Sequence, residues 1–260
     1  DDGSRGSIGN KVKTQVEGKK RALIVGISDY QASSLELDYA DDDAELFKEY
    51  LTEVEEIPDE DLVFLKDNEA ISVSILNELK KLMKTSEKGD IIYLYFAGHG
   101  DVVDDFGGEE GFLLATDANE NQEYYGTQGV VPLRILNRVI DTVTEKGAQV
   151  ILVLDACRSG FLYKEGAQKN LETLNNNFQN STKFLSCGPS QLSFESKELG
   201  HGYFTYYLVL GFMGAADVLV PDNTIQYFEL ATFLDNQVKN QTDQKQIPVV
   251  WNQNTVAVFK

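Results

Sequence analysis

The chain has 260 residues, of which 42% are hydrophobic and 10% aromatic, so it has enough apolar material for a folded core, and global disorder is excluded. Its 23 basic and 42 acidic residues give a formal charge of −19, which would repel phosphate backbones and argues against nucleic-acid binding. No window approaches the roughly 18 apolar residues that a membrane-spanning helix needs, so we expect no membrane insertion.

The cysteine content and the start of the chain bear on where the protein works. Two cysteines, Cys157 and Cys187, cannot form a disulfide framework, and with only two histidines they argue against a zinc cluster. The chain opens at Asp1 without an initiator methionine, so we expect a cut or processed N-terminus. We expect a soluble protein, with the cytoplasm favoured unless a targeting signal has been removed.

Short apolar runs alternate with amphipathic stretches along the first half of the chain. Residues 1–19 are polar and glycine-rich, and we predict a flexible leader there. Residues 90–98 are strongly apolar, which is typical of a central strand buried on both faces. In chain order the predicted elements are a strand over 20–28, a helix over 40–56, a strand over 62–65, a helix over 71–84, and strands over 90–98 and 111–116.

The second half of the chain continues this alternation. A polar, asparagine-rich stretch over 164–182 predicts a long surface loop. The pattern as a whole predicts an α/β domain with a mainly parallel central sheet and helices on both faces. The predicted elements are a helix over 131–145, strands over 148–157 and 183–187, helices over 203–216 and 225–240, and closing strands over 248–252 and 255–259.

Chemically reactive side chains follow two of the predicted strands. His99 comes directly after the apolar run that stops at Gly98, and Cys157 comes shortly after the apolar run over 150–154. Because ligands of open α/β sheets bind outside the carboxyl ends of the strands, we expect both residues at one edge. A cysteine beside an imidazole is the arrangement of a thiol nucleophile, and the backbone amides of Gly100 and Cys157 are candidates to face an oxyanion.

Each of these residues also has a structural interpretation. A lone cysteine is usually a small core residue, and a lone histidine is more often structural. The presence of one of each at two glycine-flanked strand ends favours a site. His201, in a second Gly-His-Gly, precedes a predicted helix and is the weaker candidate. The sequence contains no phosphate loop, no zinc-protease motif and no serine nucleophile elbow.

The paired motifs resemble those of the caspase-like cysteine peptidases, in particular their metacaspase and bacterial caspase-like branch. Asp-Ala-Cys-Arg-Ser-Gly at 155–160 is similar to the caspase cysteine signature, and Tyr-Phe-Ala-Gly-His-Gly-Asp at 95–101 is similar to the histidine motif. The resemblance implies a three-layer sandwich formed by a single peptidase domain over 20–260, with 161–183 as a processing-type loop between its larger and smaller parts.

The same resemblance implies a reaction and its residues. Cys157 would be the nucleophile and His99 the general base and acid of a catalytic dyad that hydrolyses peptide bonds. The amides of Gly100 and Cys157 would bind the oxyanion. Protein or peptide substrates and a monomeric state are also implied.

Acidic residues stand where the pocket of an aspartate-specific caspase is neutral or cationic. Asp155 replaces the glutamine two residues before the cysteine, and Glu195 replaces the arginine of a Ser-Trp-Arg run. Asp43 lies six residues after Leu37, which occupies the other arginine position. Metacaspases have acids at the positions of Asp43 and Asp155. The resemblance therefore implies cleavage after arginine or lysine; the alternative for each acid is a surface or helix-capping role.

Two departures from the metacaspase pattern affect the predicted site. Ala97 stands where a serine often lies two residues before the histidine, and the stretch over 129–136 lacks the aspartates of calcium-dependent metacaspases. We therefore expect no metal site, no cofactor and no calcium dependence. Weak cation binding by an acidic loop is the exception, and its residues are Asp104, Asp105, Glu109 and Glu110.

The segment after the cysteine motif contains lysines that a pocket for basic residues could accept. Lys164, Lys169 and Lys183 are therefore candidates for self-cleavage. Two other functions stay open. One is a catalytically silent caspase-like module for protein interaction or signalling. The other is a flavodoxin-like binding module, which rests on fold class alone and leaves the His/Cys pair unexplained.

Overall fold

A computed structural model describes most of the chain. The residues described are 18–105, 108–121, 123, 125, 128–156, 178–188, 191–219, 221–251 and 258–259. Most of the predicted leader and of the predicted processing loop therefore lies outside the described residues. Among the described residues, no helix combines the length and the apolar character needed to cross a membrane.

Strands and helices alternate in the order that the hydrophobic pattern predicts. The strands are β1 (Lys20–Gly26), β2 (Leu62–Lys66), β3 (Ile91–Ala97), β4 (Gly100–Asp105), β5 (Gly108–Leu114), β6 (Val130–Pro132), β7 (Gln149–Asp155), β8 (Thr182–Leu185), β9 (Glu195–Ser196), β10 (His201–Gly202), β11 (Ile225–Gln226), β12 (Val249–Trp251) and β13 (Val258–Phe259). The α-helices are α1 (Ala40–Glu53), α2 (Ser72–Thr85), α3 (Leu133–Glu145), α4 (Tyr203–Leu210) and α5 (Tyr227–Gln241).

A six-stranded sheet forms the centre of the fold, in the order β12-β8-β7-β3-β1-β2. All neighbouring strands are parallel except β12 and β8, which are antiparallel. Helices α2 and α3 pack on one face, and α1, α4 and α5 pack on the other. The predicted mainly parallel sheet with helices on both faces is confirmed.

The alternation of side chains along the central strands produces two core layers. On β3, Leu94 and Phe96 pack towards α2 and α3, whereas Tyr93 and Tyr95 pack towards α1, α4 and α5. Successive side chains of a strand point to opposite faces, so a strand covered on both faces must be apolar throughout. This is why the 90–98 run contains no polar alternation.

The sequence does not predict the short strands β6, β9, β10 and β11, and two further regions differ from their predicted structure. The acidic stretch predicted as a loop contributes residues to β4 and β5, which pair antiparallel with each other and, through β5, with β6. A run rich in carboxylates contains no hydrophobic period from which a strand could be predicted. The helix predicted over 203–216 ends as α4 at Leu210 and continues as a π-helical turn over Gly211–Ala215, in which Gly214 has a φ of 111°.

Candidate active site

The ends of three neighbouring strands bring the predicted site residues to one edge of the sheet. In the sheet register, Ala97 at the end of β3 lies between Asp155 at the end of β7 and Gly26 at the end of β1. The amide of Gly98 donates to the carbonyl oxygen of Asp155 at 3.1 Å. His99 therefore follows a strand that is paired directly with the one leading to Cys157, which itself lies outside the described residues.

Gly100 lies against the backbone immediately before the cysteine. A Cβ atom at Gly100 would be 2.8 Å from the carbonyl oxygen of Ala156, so a larger residue would push the two segments apart. Gly100, one of the two predicted oxyanion positions, is therefore in close contact with Ala156, the last described residue before Cys157.

The β1–α1 loop holds His99 from two sides. The backbone amide of His99 donates to the hydroxyl of Tyr30 at 2.8 Å, and that hydroxyl also lies 3.3 Å from the carbonyl oxygen of Leu114, to which it donates. The two rings are tilted, with centroids 5.3 Å apart. On its other side, the Nε2 atom of His99 lies 2.9 Å from the carbonyl oxygen of Leu35.

The contact with Leu35 selects one form of the imidazole. A carbonyl oxygen only accepts hydrogen bonds, so Nε2 of His99 must carry the proton. In the neutral ring Nδ1 is then the acceptor, which is the atom that can take a proton from a thiol. The carbonyl dipole also stabilises the imidazolium that this transfer produces.

Asp155 is a fully buried carboxylate held by two hydroxyl groups. Its side chain is 0% exposed, and it accepts hydrogen bonds from Ser193 Oγ at 2.8 Å and from Thr205 Oγ1 at 2.9 Å. Among the ion pairs between described residues, none includes Asp155. Both donors are neutral hydroxyl groups, so neither of them supplies a charge opposite to that of a carboxylate.

Asp43 is buried to the same degree in the first turn of α1. Its carboxylate accepts from the amide of Gly202 at 2.9 and 3.1 Å, and the Nδ1 atom of His201 lies 3.2 Å from its Oδ1. The hydrogen bond to Asp43 raises the pKa of His201, and the charges of Asp42 and Glu49 add to this against the effect of burial.

Glu195 is the third of the predicted substrate-binding acids. It lies on β9 directly across from Gly202 on β10, and its Oε1 accepts from the amide of Tyr39 at 2.8 Å. Tyr39 is the residue before α1, so Glu195 is hydrogen-bonded to the backbone at the start of the helix that carries Asp43. The segment over 193–205 thus contacts Asp155 and Asp43 and contains Glu195, the third predicted substrate-binding acid.

One of the three lysines predicted as self-cleavage sites, Lys183, lies in a buried strand. Lys183 lies inside β8, is 1% exposed, and its register pairs it with both β7 and β12. A peptidase cannot reach a buried strand backbone that is paired on both sides, so the structure contradicts Lys183 as a cleavage site in the folded protein. Lys164 and Lys169 lie outside the described residues. Within the described ranges, no group of three or more His, Cys, Asp or Glu side chains is arranged to hold a metal ion.

A sequence model of the Caspase domain family matches residues 19–259. The chain belongs to this family. The resemblance inferred from the paired histidine and cysteine motifs is thereby confirmed.

Curated relatives of this caspase-domain chain are metacaspases at low identity. Metacaspase-7 of Arabidopsis thaliana is 26% identical over 88% of this chain and 58% of its own length. Metacaspase-1 of Saccharomyces cerevisiae is 26% identical over 56% of this chain and 35% of its own length. The chain thus spans about a third to three-fifths of the length of these two relatives.

Solved structures support the fold of the caspase domain. Protein GSU0716 from Geobacter sulfurreducens superposes with a TM-score of 0.62 at 17% identity, covering 92% of this chain and 95% of its own. Caspase-1 from Spodoptera frugiperda gives a TM-score of 0.53 at 13% identity, covering 91% and 87%. At this identity the likeness concerns the fold alone.

Several residues that complete the caspase-domain site carry no signal in the sequence. Tyr30 and the carbonyl of Leu35 hold His99 from a loop more than sixty residues upstream. Ser193 and Thr205 reach Asp155 from a distant part of the chain. His201 was noted for its glycine flanks, but nothing in the sequence pairs it with an acid.

Proposed function

We propose that this chain is a cysteine endopeptidase that cleaves peptide bonds after arginine or lysine. Family membership supports the cysteine-peptidase class, and the strongest support for the specificity is Asp155. Its fully buried carboxylate, held by two neutral hydroxyls next to the cysteine motif, is suited to a cationic substrate side chain. Asp43 and Glu195, held by the same 193–205 segment, add negative charge around it.

The reaction proceeds through a thiolate and a covalent intermediate. The Nδ1 atom of His99 removes the proton from Cys157 Sγ, and the sulfur forms a bond to the peptide carbonyl carbon. The resulting oxyanion binds the amides of Gly100 and Cys157. The C–N bond then breaks as His99 returns the proton to the leaving amine. A water molecule, deprotonated by His99, hydrolyses the thioester and restores the thiol.

The same proposal covers the calcium requirement, self-cleavage and the monomeric state. Catalysis requires no calcium, because the stretch over 129–136 carries no carboxylate. Self-cleavage, where it occurs, uses Lys164 or Lys169. Unchanged turnover with calcium or a chelator, and denaturing gels of wild type beside Cys157→Ala, check these two points. Size-exclusion chromatography checks the proposed monomer.

A fluorogenic peptide panel with arginine, lysine, aspartate or citrulline before the scissile bond tests the proposal. We expect turnover of the arginine and lysine peptides only, with a loss on the order of a thousandfold or more in Cys157→Ala and His99→Ala. Cleavage of the aspartate peptide alone contradicts the proposed specificity. A folded sample that cleaves none of the four supports the silent interaction module instead.

Asp155→Asn tests the residue that carries the specificity. We expect kcat/KM for the arginine peptide to fall on the order of 100-fold, because the amide removes the buried charge while keeping the shape. Asp90→Asn is the control for the loss of a buried carboxylate: Asp90 is 2% exposed, accepts from the amides of Lys19 and Glu87, lies 3.4 Å from Arg21 Nε, and precedes β3 at the other end of the sheet. Equal losses in both variants would assign Asp155 a structural role only.

A further inference from the structure

His201 lies between the buried carboxylate of Asp43 and solvent. Its Nδ1 atom is 3.2 Å from Asp43 Oδ1, and the amide of Gly202 donates to both carboxylate oxygens. The side chain of His201 is 22% exposed, whereas that of Asp43 is 0% exposed. The imidazole is therefore a solvent-reachable group that becomes a counter-ion of Asp43 when it is protonated.

The charged groups that act on His201 are acidic residues. From α1 it faces Asp43 together with Asp42 and Glu49, which act on it through their charge. From α4 the ring of Tyr206 stacks on it at a centroid distance of 6.2 Å. On β9, Ser196 is its register partner and Glu195 is the next residue. These acids favour the protonated form of His201.

The segment that begins at His201 connects the two buried carboxylates of the proposed pocket. Gly202 binds Asp43 through its amide, and Thr205 binds Asp155 through its hydroxyl. A basic substrate side chain that approaches Asp43 therefore comes near the imidazole that contacts this carboxylate. Two cations close to one carboxylate repel each other, so protonated His201 and the substrate compete.

We propose that His201 and the basic side chain of the substrate are alternative cations for Asp43, so that the protonation state of His201 sets the affinity for substrate. This inference rests on the proposed function, since it assumes a substrate with arginine or lysine in this pocket. It makes His201 a residue that acts on specificity through Asp43 and takes no part in bond cleavage.

The competition has a defined direction with pH. Below the pKa of His201, the imidazolium neutralises Asp43 and the arginine peptide binds weakly. Above it, the neutral ring no longer offsets the charge of Asp43, and the peptide binds more tightly. Linkage is reciprocal, so a bound arginine peptide must lower the pKa of His201. A citrulline peptide has the same shape without the charge. Its affinity should not depend on the protonation of His201, and its binding should not change the pKa of His201.

Histidine NMR titration of the full chain carrying Cys157→Ala tests the inference without turnover. The chain has two histidines, so adding His201→Asn assigns the His201 signal, and the asparagine amide can keep a hydrogen bond to Asp43 without a charge. With saturating arginine peptide we expect the His201 titration to move to lower pH, and with citrulline peptide we expect it to stay. The Kd for the arginine peptide should fall on the order of 10-fold as pH rises through this titration, and should be independent of pH over that range in the His201→Asn variant.

The outcomes separate this inference from the proposed function. If the arginine peptide binds but leaves the His201 titration unmoved, the competition is wrong and the basic specificity stands. The competition is also wrong, and the basic specificity stands, if the pH dependence of Kd persists in His201→Asn. If no arginine peptide binds at any pH, both are wrong. Should His201→Asn fail to fold, the titration of Cys157→Ala alone, with the two peptides compared, still decides.

Discussion

At the scale of single residues, Tyr30 connects the histidine loop to the sheet that follows it. Its hydroxyl accepts a hydrogen bond from the amide of His99 and donates one to the carbonyl oxygen of Leu114 on β5. A Cβ atom at Gly98 would be 2.6 Å from this hydroxyl, so the glycine allows the close approach. The position of the His99 backbone thus depends on this buried phenol, whereas the carbonyl of Leu35 contacts the imidazole itself.

Tyr30→Phe is expected to lower kcat about 3- to 10-fold with KM little changed, because one hydrogen bond that orients His99 is lost. Steady-state kinetics with the arginine peptide measure both constants. Tyr50→Phe is the control. Tyr50 is also buried, and its hydroxyl donates to Glu55 at 2.6 Å, at the opposite end of the sheet from His99. A rise in KM with unchanged kcat would show that Tyr30 does not position the catalytic histidine.

Lys183 is a buried cation that opposes folding at neutral pH. Its Nζ atom lies 4.7 Å from the centroid of the Trp251 ring, and burial lowers the pKa of the amine to about 8. Because the folded pKa lies below the unfolded value of about 10.4, the destabilisation is present below about pH 8 and disappears as pH rises above the unfolded value.

Lys183→Met should therefore raise Tm by roughly 2–5 °C near neutral pH, with the gain shrinking as pH rises from about 8 towards about 10. Calorimetry across that range tests this. Lys48→Met controls for the loss of a cation–π contact at a half-buried position, since Lys48 lies 5.1 Å above the ring of Phe64. A gain independent of pH contradicts the electrostatic explanation.

At the scale of elements, α1 packs on β1 through small residues. A Cβ atom at Gly26 would lie 2.3 Å from the Cβ of Ala44 and 2.9 Å from the carbonyl oxygen of Ala40. This close approach places the first turn of α1, and with it Asp43, over the end of β1. The glycine is needed here for space, which a hydrophobic pattern cannot reveal.

Gly26→Ala is expected to lower the free energy of unfolding by about 1–3 kcal/mol, because the added methyl group pushes α1 away from the sheet. Denaturant titration measures the loss. Adding Ala44→Gly removes one of the two clashing groups, so the double variant should lose less than the sum of the single changes. Strict additivity would mean that the two residues do not meet as described.

At the scale of the whole molecule, the formal charge of −19 creates a field that attracts cationic peptides. We expect kcat/KM for the arginine peptide to fall on the order of 10-fold between about 0.02 and 0.5 M salt, because the Debye length shortens from about 20 Å to a few ångströms. The citrulline peptide is the control and should show little change. Equal salt dependence for both peptides would assign the effect to the enzyme's stability or catalysis.

Much of the fold could be predicted because it depends on local pattern. Apolar runs located β1 and β3, which stop at glycine, and β7, which stops at Asp155, and their order along the chain predicted a parallel sheet. The β4–β5 hairpin was predicted only in part, since its acidic end leaves no hydrophobic period. Register and short pairings such as β9 with β10 depend on contacts between distant segments, which no local pattern encodes.

The sequence by itself determined the α/β class, the family resemblance and the candidate residues His99, Cys157, Asp43, Asp155 and Glu195, because residue type and spacing carry that information. Only the tertiary structure decided that Leu35 and Tyr30 orient His99, that Lys183 is enclosed, and that His201 pairs with Asp43. The physical reason is that hydrogen bonds and burial depend on distance in space. The pairs that matter here lie 64, 69 and 158 residues apart along the chain.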